Sequence, residues 1–348
     1  MKLKDIIGQL FILGFNGPSI DHTHPIVADI QERNLGGVIL FDKFLAKNEN
    51  KNNIENPAQV KKLTASLQNY ADTPLLIAVD QEGGMVKRLK PQAGFPETAS
   101  AWELGNFDDS TLTAIHAGCT AQTLSAVGIN YNLAPVIDLN IFPENPIIGK
   151  INRSFSNEPD TVCRHAHIWI HEHKKQNILS CLKHFPGHGS SQTDSHLGFT
   201  DITASWQETE LIPFKRLIEQ NNQESVDSVM LGHLFHSALD SAYPASLSST
   251  VIEKMLRTDL NFQGVAITDD IQMKAITDKY GLEESVCLAL AAGIDMIIVG
   301  NNLEYDSEFL QRVIPAVIRA VDENRITEDR IKEAWQRVMN MKNTVLVS

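Results

Sequence analysis

The stretch Ile178-Leu179-Ser180-Cys181-Leu182-Lys183-His184-Phe185-Pro186-Gly187-His188-Gly189-Ser190-Ser191-Gln192-Thr193-Asp194-Ser195-His196 starts as an apolar run and breaks into a loop rich in Pro, Gly and Ser. The run is short and does not alternate, which is how a strand buried on both faces reads. The loop carries a lysine, three histidines and an aspartate, and it is too long for a minimal strand-to-helix connection.

The same grammar recurs along the chain. Leu10–Phe15, Gly37–Phe41, Leu75–Val79, Ile129–Leu133, Leu179–Leu182, Ser228–Leu231, Val265–Ile267 and Met296–Val299 are all short and rich in Val, Ile and Leu. Between them lie stretches of helical period: Pro57–Tyr70, Leu112–Val127, Thr161–Gln176, Trp206–Gln220, Ser249–Leu260, Glu283–Ala292, Glu308–Val321 and Thr327–Lys342. Strands alternating with helices argue for parallel strands with helical crossovers. Eight such units in this length fit an α/β protein built as a single (β/α)8 barrel. A doubly wound open sheet is the runner-up, weakened by the lack of a GxGxxG turn after the first strands. The polar, Asn-rich segment Lys47–Asn56 reads as a surface insertion.

The 348 residues, 43% of them hydrophobic, suffice for a large core, and the formal net charge of −13 argues against nucleic acid or an anionic membrane as partner. Cys119, Cys163, Cys181 and Cys287 lack CxxC spacing and read as free thiols in a reducing compartment. Lys2 and Lys4 are followed by Asp5, and the run Ile6–Phe15 contains Gln9 with no small-residue cleavage site after it. No apolar run approaches the ~20 residues of a membrane span. A cytoplasmic protein without a leader peptide is expected.

In a barrel, chemistry sits at the C-terminal ends of the strands. Four runs end in ionisable groups: Asp80, Lys183 with His184, His233, and Asp269 with Asp270. Successive side chains of an extended segment point to opposite sides, so one of Asp269 and Asp270 is expected to face the mouth. Asp269, nearer the axis, could be nucleophile, general base or hydroxyl acceptor, and Asp270 could cap the following helix or bond to backbone. The alternative is that both cap a helix beginning near Ile271. Asp194 and His196 are two apart and share a face in an extended loop. An aspartate on one imidazole nitrogen fixes the tautomer and frees the other nitrogen for proton transfer. The blander reading is an Asx-type turn beside a solvated histidine.

Lys183 at a strand end could instead form a Schiff base, as in barrel aldolases. Arg88, Arg153 and Lys183 would equally serve a polyhydroxylated substrate as donors, with Asp80 as acceptor. His165, His167, His171 and His173 cluster in one helical stretch. His167 and His171, at i,i+4, could chelate a metal, but a surface helix without a metal is expected there.

The run Lys183-His184-Phe185-Pro186-Gly187-His188-Gly189 followed by Asp194-Ser195-His196 resembles the signature of bacterial β-N-acetylglucosaminidases of glycoside hydrolase family 3. Val79-Asp80-Gln81-Glu82-Gly83-Gly84 with Arg88, Asn145-Pro146-Ile147-Ile148-Gly149 with Arg153-Ser154-Phe155, and Ile267-Thr268-Asp269-Asp270-Ile271 with Met273 agree in order and spacing. The resemblance implies a single catalytic barrel over residues 1–348 that removes terminal β-linked N-acetylglucosamine with retention, typically from peptidoglycan fragments. It implies Asp269 as nucleophile and His196, paired with Asp194, as acid/base. Asp80, Arg88, Arg153, Lys183 and His184 would hold the sugar. No metal or cofactor is called for. A neutral acid/base makes phosphate a conceivable acceptor in place of water, and a non-catalytic sugar-binding barrel is a further class. Met85, the pair Ser190-Ser191, and Lys150-Ile151-Asn152 before Arg153 depart from the usual pattern and bear on aglycone preference. Pro186, Gly187 and Gly189 are expected to act as a hinge between the sugar-holding and acid/base ends of the loop.

Overall fold

A computed structural model describes residues 2–193, 198–219 and 226–346. Each of the eight apolar runs carries a strand: β1 Phe11–Gly14, β2 Gly37–Ile39, β3 Leu76–Val79, β4 Tyr131–Asn132, β5 Leu179–Phe185, β6 Ser228–Leu231, β7 Val265–Thr268 and β8 Ile297–Val299. Their residues are buried throughout, which is why they read as unbroken apolar runs. All neighbours pair in parallel in the order β8-β1-β2-β3-β4-β5-β6-β7. Phe11 lies opposite Ile297, and a parallel bridge between Ile267 and Met296 joins the remaining edges, so the sheet closes into a barrel. Closure pairs both edges of these eight described strands, and the helices bury the outer face in a large apolar core.

Helices fill the expected stretches, with bounds shifted by a few residues at several ends. Four short helices went unread: Leu3–Gly8, Pro25–Arg33, Ala101–Phe107 and Lys274–Tyr280. The third had a signal. Ser100 and Glu103 form a reciprocal capping box, with the Glu103 amide donating to Ser100 Oγ at 3.2 Å and the Ser100 amide donating to Glu103 Oε2 at 2.8 Å. The others are too short to show a stripe of helical period. No described helix is long and apolar enough to cross a membrane.

Two further two-residue strands, Thr200–Asp201 and Leu234–Phe235, pair in parallel. They tie the chain beyond the β5 loop to the segment leaving β6.

Candidate active site

Asp80 is the first residue past β3 and Glu82 follows two positions later. A buried amide holds this arm. Gln81 Oε1 accepts from the Arg88 and Leu89 amides, both at 3.0 Å, and its Nε2 donates to the Leu89 carbonyl at 3.2 Å. Asn132, on β4, receives the Gln81 amide at 3.0 Å and donates to the Gln81 carbonyl at 3.1 Å. Gly83 turns the arm with φ of 99°, and a Cβ there would stand 2.0 Å from the Ala99 carbonyl oxygen. Arg88 is thereby folded back toward Asp80 (Nη2 to Oδ2, 3.4 Å) and lies over the Phe41 ring at 5.6 Å.

β5 brings Lys183 and His184 to the same mouth. Lys183 Nζ donates to Asp80 Oδ1 at 2.9 Å and reaches Glu82 Oε1 at 2.7 Å. Arg153 binds the same Glu82 through both Nε and Nη2, each at 2.7 Å, and donates from Nη1 to the Ile147 carbonyl at 2.9 Å. His184 is set by Asp138. Its Nδ1 donates to Asp138 Oδ2 at 2.7 Å, and its own amide reaches both carboxylate oxygens at 3.1 Å. Nε2 is then the acceptor for Arg153 Nη2 at 3.4 Å.

β7 ends in Thr268, followed by the two aspartates. Both line the cavity, although only one was expected to face it. Their side chains differ in use. Asp270 Oδ1 accepts the Gln272 amide at 3.1 Å and the Gly300 amide at 2.9 Å, which ties β7 to the end of β8. Asp269 Oδ1 takes the Asp270 amide at 2.8 Å. Neither aspartate caps the next helix, whose N-terminal flank is Met273 without a side-chain cap. His233, the other ionisable strand end, is not among the residues lining the cavity and bonds Ser246 Oγ at 2.7 Å and the Asp270 carbonyl at 3.0 Å.

Asp80, Arg88, Arg153, Lys183, His184 and Asp269 thus line one cavity of about 260 Å³, together with Glu82 and Asp270. Leu45, Val86, Ile151 and Leu303 add apolar surface to it. The charges are interlocked. Burial pushes the Glu82 carboxyl up, but Arg153 and Lys183 outweigh it and hold the group down to about 2. Asp80 is lowered in the same way, Lys183 and Arg88 overcoming its burial. Burial pulls Lys183 down, yet Glu82 and Asp80 raise it on balance. An amine held as ammonium between two carboxylates is a poor Schiff-base nucleophile. It is a good hydrogen-bond donor to hydroxyl groups.

Glu82 and Asp138 were missed as site residues in the sequence. Glu82 had a signal, since positions i and i+2 of an extended segment share a face with Asp80. Asp138 follows Val136-Ile137, which continue β4 after a break. Val136 bridges Lys183 in parallel and the Ile137 amide donates to the Lys183 carbonyl at 3.0 Å.

Asp194 and His196 lie outside the described residues. The stem leading to them is packed in place, unlike the hinge that Pro186, Gly187 and Gly189 suggested. Residues 186–191 are buried. Asp138 Oδ1 takes the His188 amide at 2.8 Å, and Asn145 Nδ2 donates to the His188 carbonyl at 2.7 Å. Burial and the neighbouring His184 push the His188 imidazole down to about 4, so it is neutral at pH 7. The other histidine cluster divides. His165 and His173 point into the protein, on Thr113 Oγ1 (2.7 Å) and Asn132 Nδ2 (2.9 Å), while the exposed His167 stacks on His171 with ring centroids 6.5 Å apart.

The model of the family described as "Glycosyl hydrolase family 3 N terminal domain" matches residues 2–341. The solved structure of a glycoside hydrolase family 3 beta-N-acetylglucosaminidase from Paenibacillus sp. str. FPU-7 superposes with a TM-score of 0.89 at 35% identity, covering 100% of this chain and 63% of that one. "Beta-hexosaminidase" of Photobacterium profundum is 36% identical over 276 residues, 79% of this chain and 77% of that protein. "Beta-hexosaminidase A" of Pseudoalteromonas piscicida is 28% identical over 337 residues. The chain spans 90% of its own length in that match but only 54% of the relative's.

Proposed function

The chain belongs to glycosyl hydrolase family 3, and we propose that it is a retaining exo-β-N-acetylglucosaminidase. The observation that carries this reading is the convergence of Asp269 with the donor–acceptor array of Asp80, Arg88, Arg153, Lys183 and His184 on one cavity. The names of the relatives from Paenibacillus and Photobacterium support the same activity.

In this reading the Asp269 carboxylate attacks the anomeric carbon. The glycosidic bond breaks as His196, protonated as imidazolium, gives one N–H proton to the departing oxygen and becomes neutral imidazole. In the second step His196 takes a proton from water, the hydroxide attacks the anomeric carbon and Asp269 departs. Two inversions leave the configuration retained. Asp194 holds the imidazole tautomer. Asp80, Arg88, Arg153, Lys183 and His184 bind the sugar hydroxyls. Residues 1–348 act as one catalytic barrel, on terminal N-acetylglucosamine of peptidoglycan fragments, in the cytoplasm. The four cysteines, all free thiols, suit that compartment.

The test is hydrolysis of 4-nitrophenyl N-acetyl-β-glucosaminide and of N-acetylglucosaminyl-anhydromuramic acid, with product anomers followed by NMR. The β-anomer of N-acetylglucosamine is expected first. The α-anomer would overturn retention, and a sugar phosphate formed only when phosphate is present would replace water as acceptor. His196→Ala should lose more on the natural disaccharide than on the aryl substrate, whose leaving group needs little protonation.

A further inference from the structure

We propose that Glu210 is a positioning residue for the acid/base, acting by locking the stem of the loop that carries it. The inference rests on His196 being that acid/base. Glu210 sits on the turn Glu208–Leu211 that opens the helix Ile212–Glu219, and it is 1% exposed. Its oxygens accept the Gly189 amide at 2.9 Å, the Ser190 amide at 3.3 Å, the Ser190 hydroxyl at 2.6 Å and the Gln207 amide at 3.2 Å. Three of these four donors belong to two consecutive stem residues.

A carboxylate out of water is costly unless its oxygens are satisfied. Moving the stem would strip Glu210 of most of its donors, so the stem is fixed where Glu210 is. Burial pushes the Glu210 carboxyl up to about 7, with Asp138 adding to the rise, while the Ser190 hydroxyl and the Gln207 and Ser190 amides pull against it. The opposite side of the stem is closed by backbone. A Cβ on Gly189 would lie 1.7 Å from the Leu139 carbonyl oxygen. Ser190 precedes His196 by six residues, a reach of at most about 20 Å of extended chain. Where the stem is anchored therefore limits where the histidine can be placed.

Glu210 is separable from sugar binding. Asp138 also pins the stem, but it orients the cavity residue His184. The stem and Gln207 donors to Glu210 do not line the cavity. Loss of Glu210 should therefore harm proton delivery to the leaving group and leave binding of the N-acetylglucosamine ring in place. A misplacement of about 1 Å is enough to cost up to about 10²-fold.

The test compares kcat/KM, which reports departure of the leaving group, for N,N′-diacetylchitobiose and the 4-nitrophenyl glycoside. The proteins are wild type, Glu210→Ala, Glu210→Gln, Ser190→Ala and His196→Ala. Glu210→Ala should lose about tenfold or more on the disaccharide and less than about threefold on the aryl glycoside. Glu210→Gln, which keeps one acceptor oxygen and the volume, should recover part of the loss. Ser190→Ala removes one donor without touching the backbone and should show the same bias more weakly, which guards against a misfolded alanine variant. Equal losses on both substrates for the Glu210 and Ser190 variants, with His196→Ala still discriminating, would overturn the inference. No discrimination by His196→Ala would overturn the acid/base reading beneath it.

Discussion

The two ends of the barrel hold buried charge clusters of similar make-up that do different things. At the C-terminal mouth, Asp80 and Glu82 face Lys183, Arg153 and Arg88, and all five line the cavity. At the opposite end, Asp295 just before β8 is fully buried among Arg257, Arg330 and Arg337. Its Oδ2 also accepts the Ala266 amide of β7 at 2.9 Å. There Arg257 Nη1 donates to backbone, on the Phe262 and Gly264 carbonyls at 3.0 and 2.7 Å, while Arg330 Nη1 and Arg337 Nη2 donate to the exposed Glu333 carboxylate at 2.8 and 2.6 Å. Arg257 also stacks on the Phe262 ring at 5.1 Å. One cluster presents its donors to a space. The other closes its central carboxylate among three arginines and joins two strands to the helices Thr250–Asp259 and Glu328–Leu346. Buried ion pairs alone do not mark function; ion pairs that border an open volume of ligand size do.

The comparison can be broken in order of expected effect. Asp269→Ala should lower turnover by about 10⁴-fold or more with the fold intact, as removal of a covalent nucleophile does. Turnover assays alongside far-UV circular dichroism check both halves. Retained activity would show that the mouth cluster does not serve this chemistry.

Next come the two central carboxylates. Glu82→Gln and Asp295→Asn each strand buried cations, and each should cost about 3–5 kcal/mol of stability. They should part in kinetics. Glu82→Gln frees Lys183 and Arg153 from their shared anchor and should depress kcat/KM, while Asp295→Asn should leave kcat unchanged well below its melting temperature. Denaturant titrations with parallel kinetics read both. A kinetic defect in Asp295→Asn at full folding would erase the distinction between mouth and floor.

The smallest effect concerns Lys342, also at the floor. Its Nζ is buried and donates to Gln9 Oε1 at 2.7 Å and to the Pro74 carbonyl at 2.9 Å. Burial pulls its pKa down to about 7 from 10.5. Between those values the unfolded chain binds the proton and the native chain does not, so this group's contribution to stability rises with pH. Relative to Lys342→Met, the wild type should gain about 2 kcal/mol or less between pH 7 and 9, measured by urea unfolding. Parallel pH profiles would contradict the assignment.

The barrel was legible because parallel strands buried on both faces have no alternation to hide them. Leu75–Val79 and Val265–Ile267 announce themselves, and the ionisable residue after each run locates the mouth. Pairings across sequence were not legible. Nothing in the order of residues says that Glu82 would bridge Lys183 and Arg153, or that Asp138 would set the His184 ring, because those contacts depend on how β3, β4 and β5 align. The stem misled for a related reason. Gly187 and Gly189 suggest freedom when read locally. In the folded chain Gly189 is a glycine because the Leu139 carbonyl leaves no room for a side chain.

The central claim is that Asp269 forms the covalent intermediate at the mouth. The direct measurement is trapping with a 5-fluoro N-acetyl-β-glucosaminyl donor, followed by intact mass and peptide mapping. One sugar per chain, on the peptide containing Asp269 and absent in Asp269→Ala, is the predicted result. A label on Lys183 or any other residue, or steady turnover through an unlabelled enzyme, would contradict it.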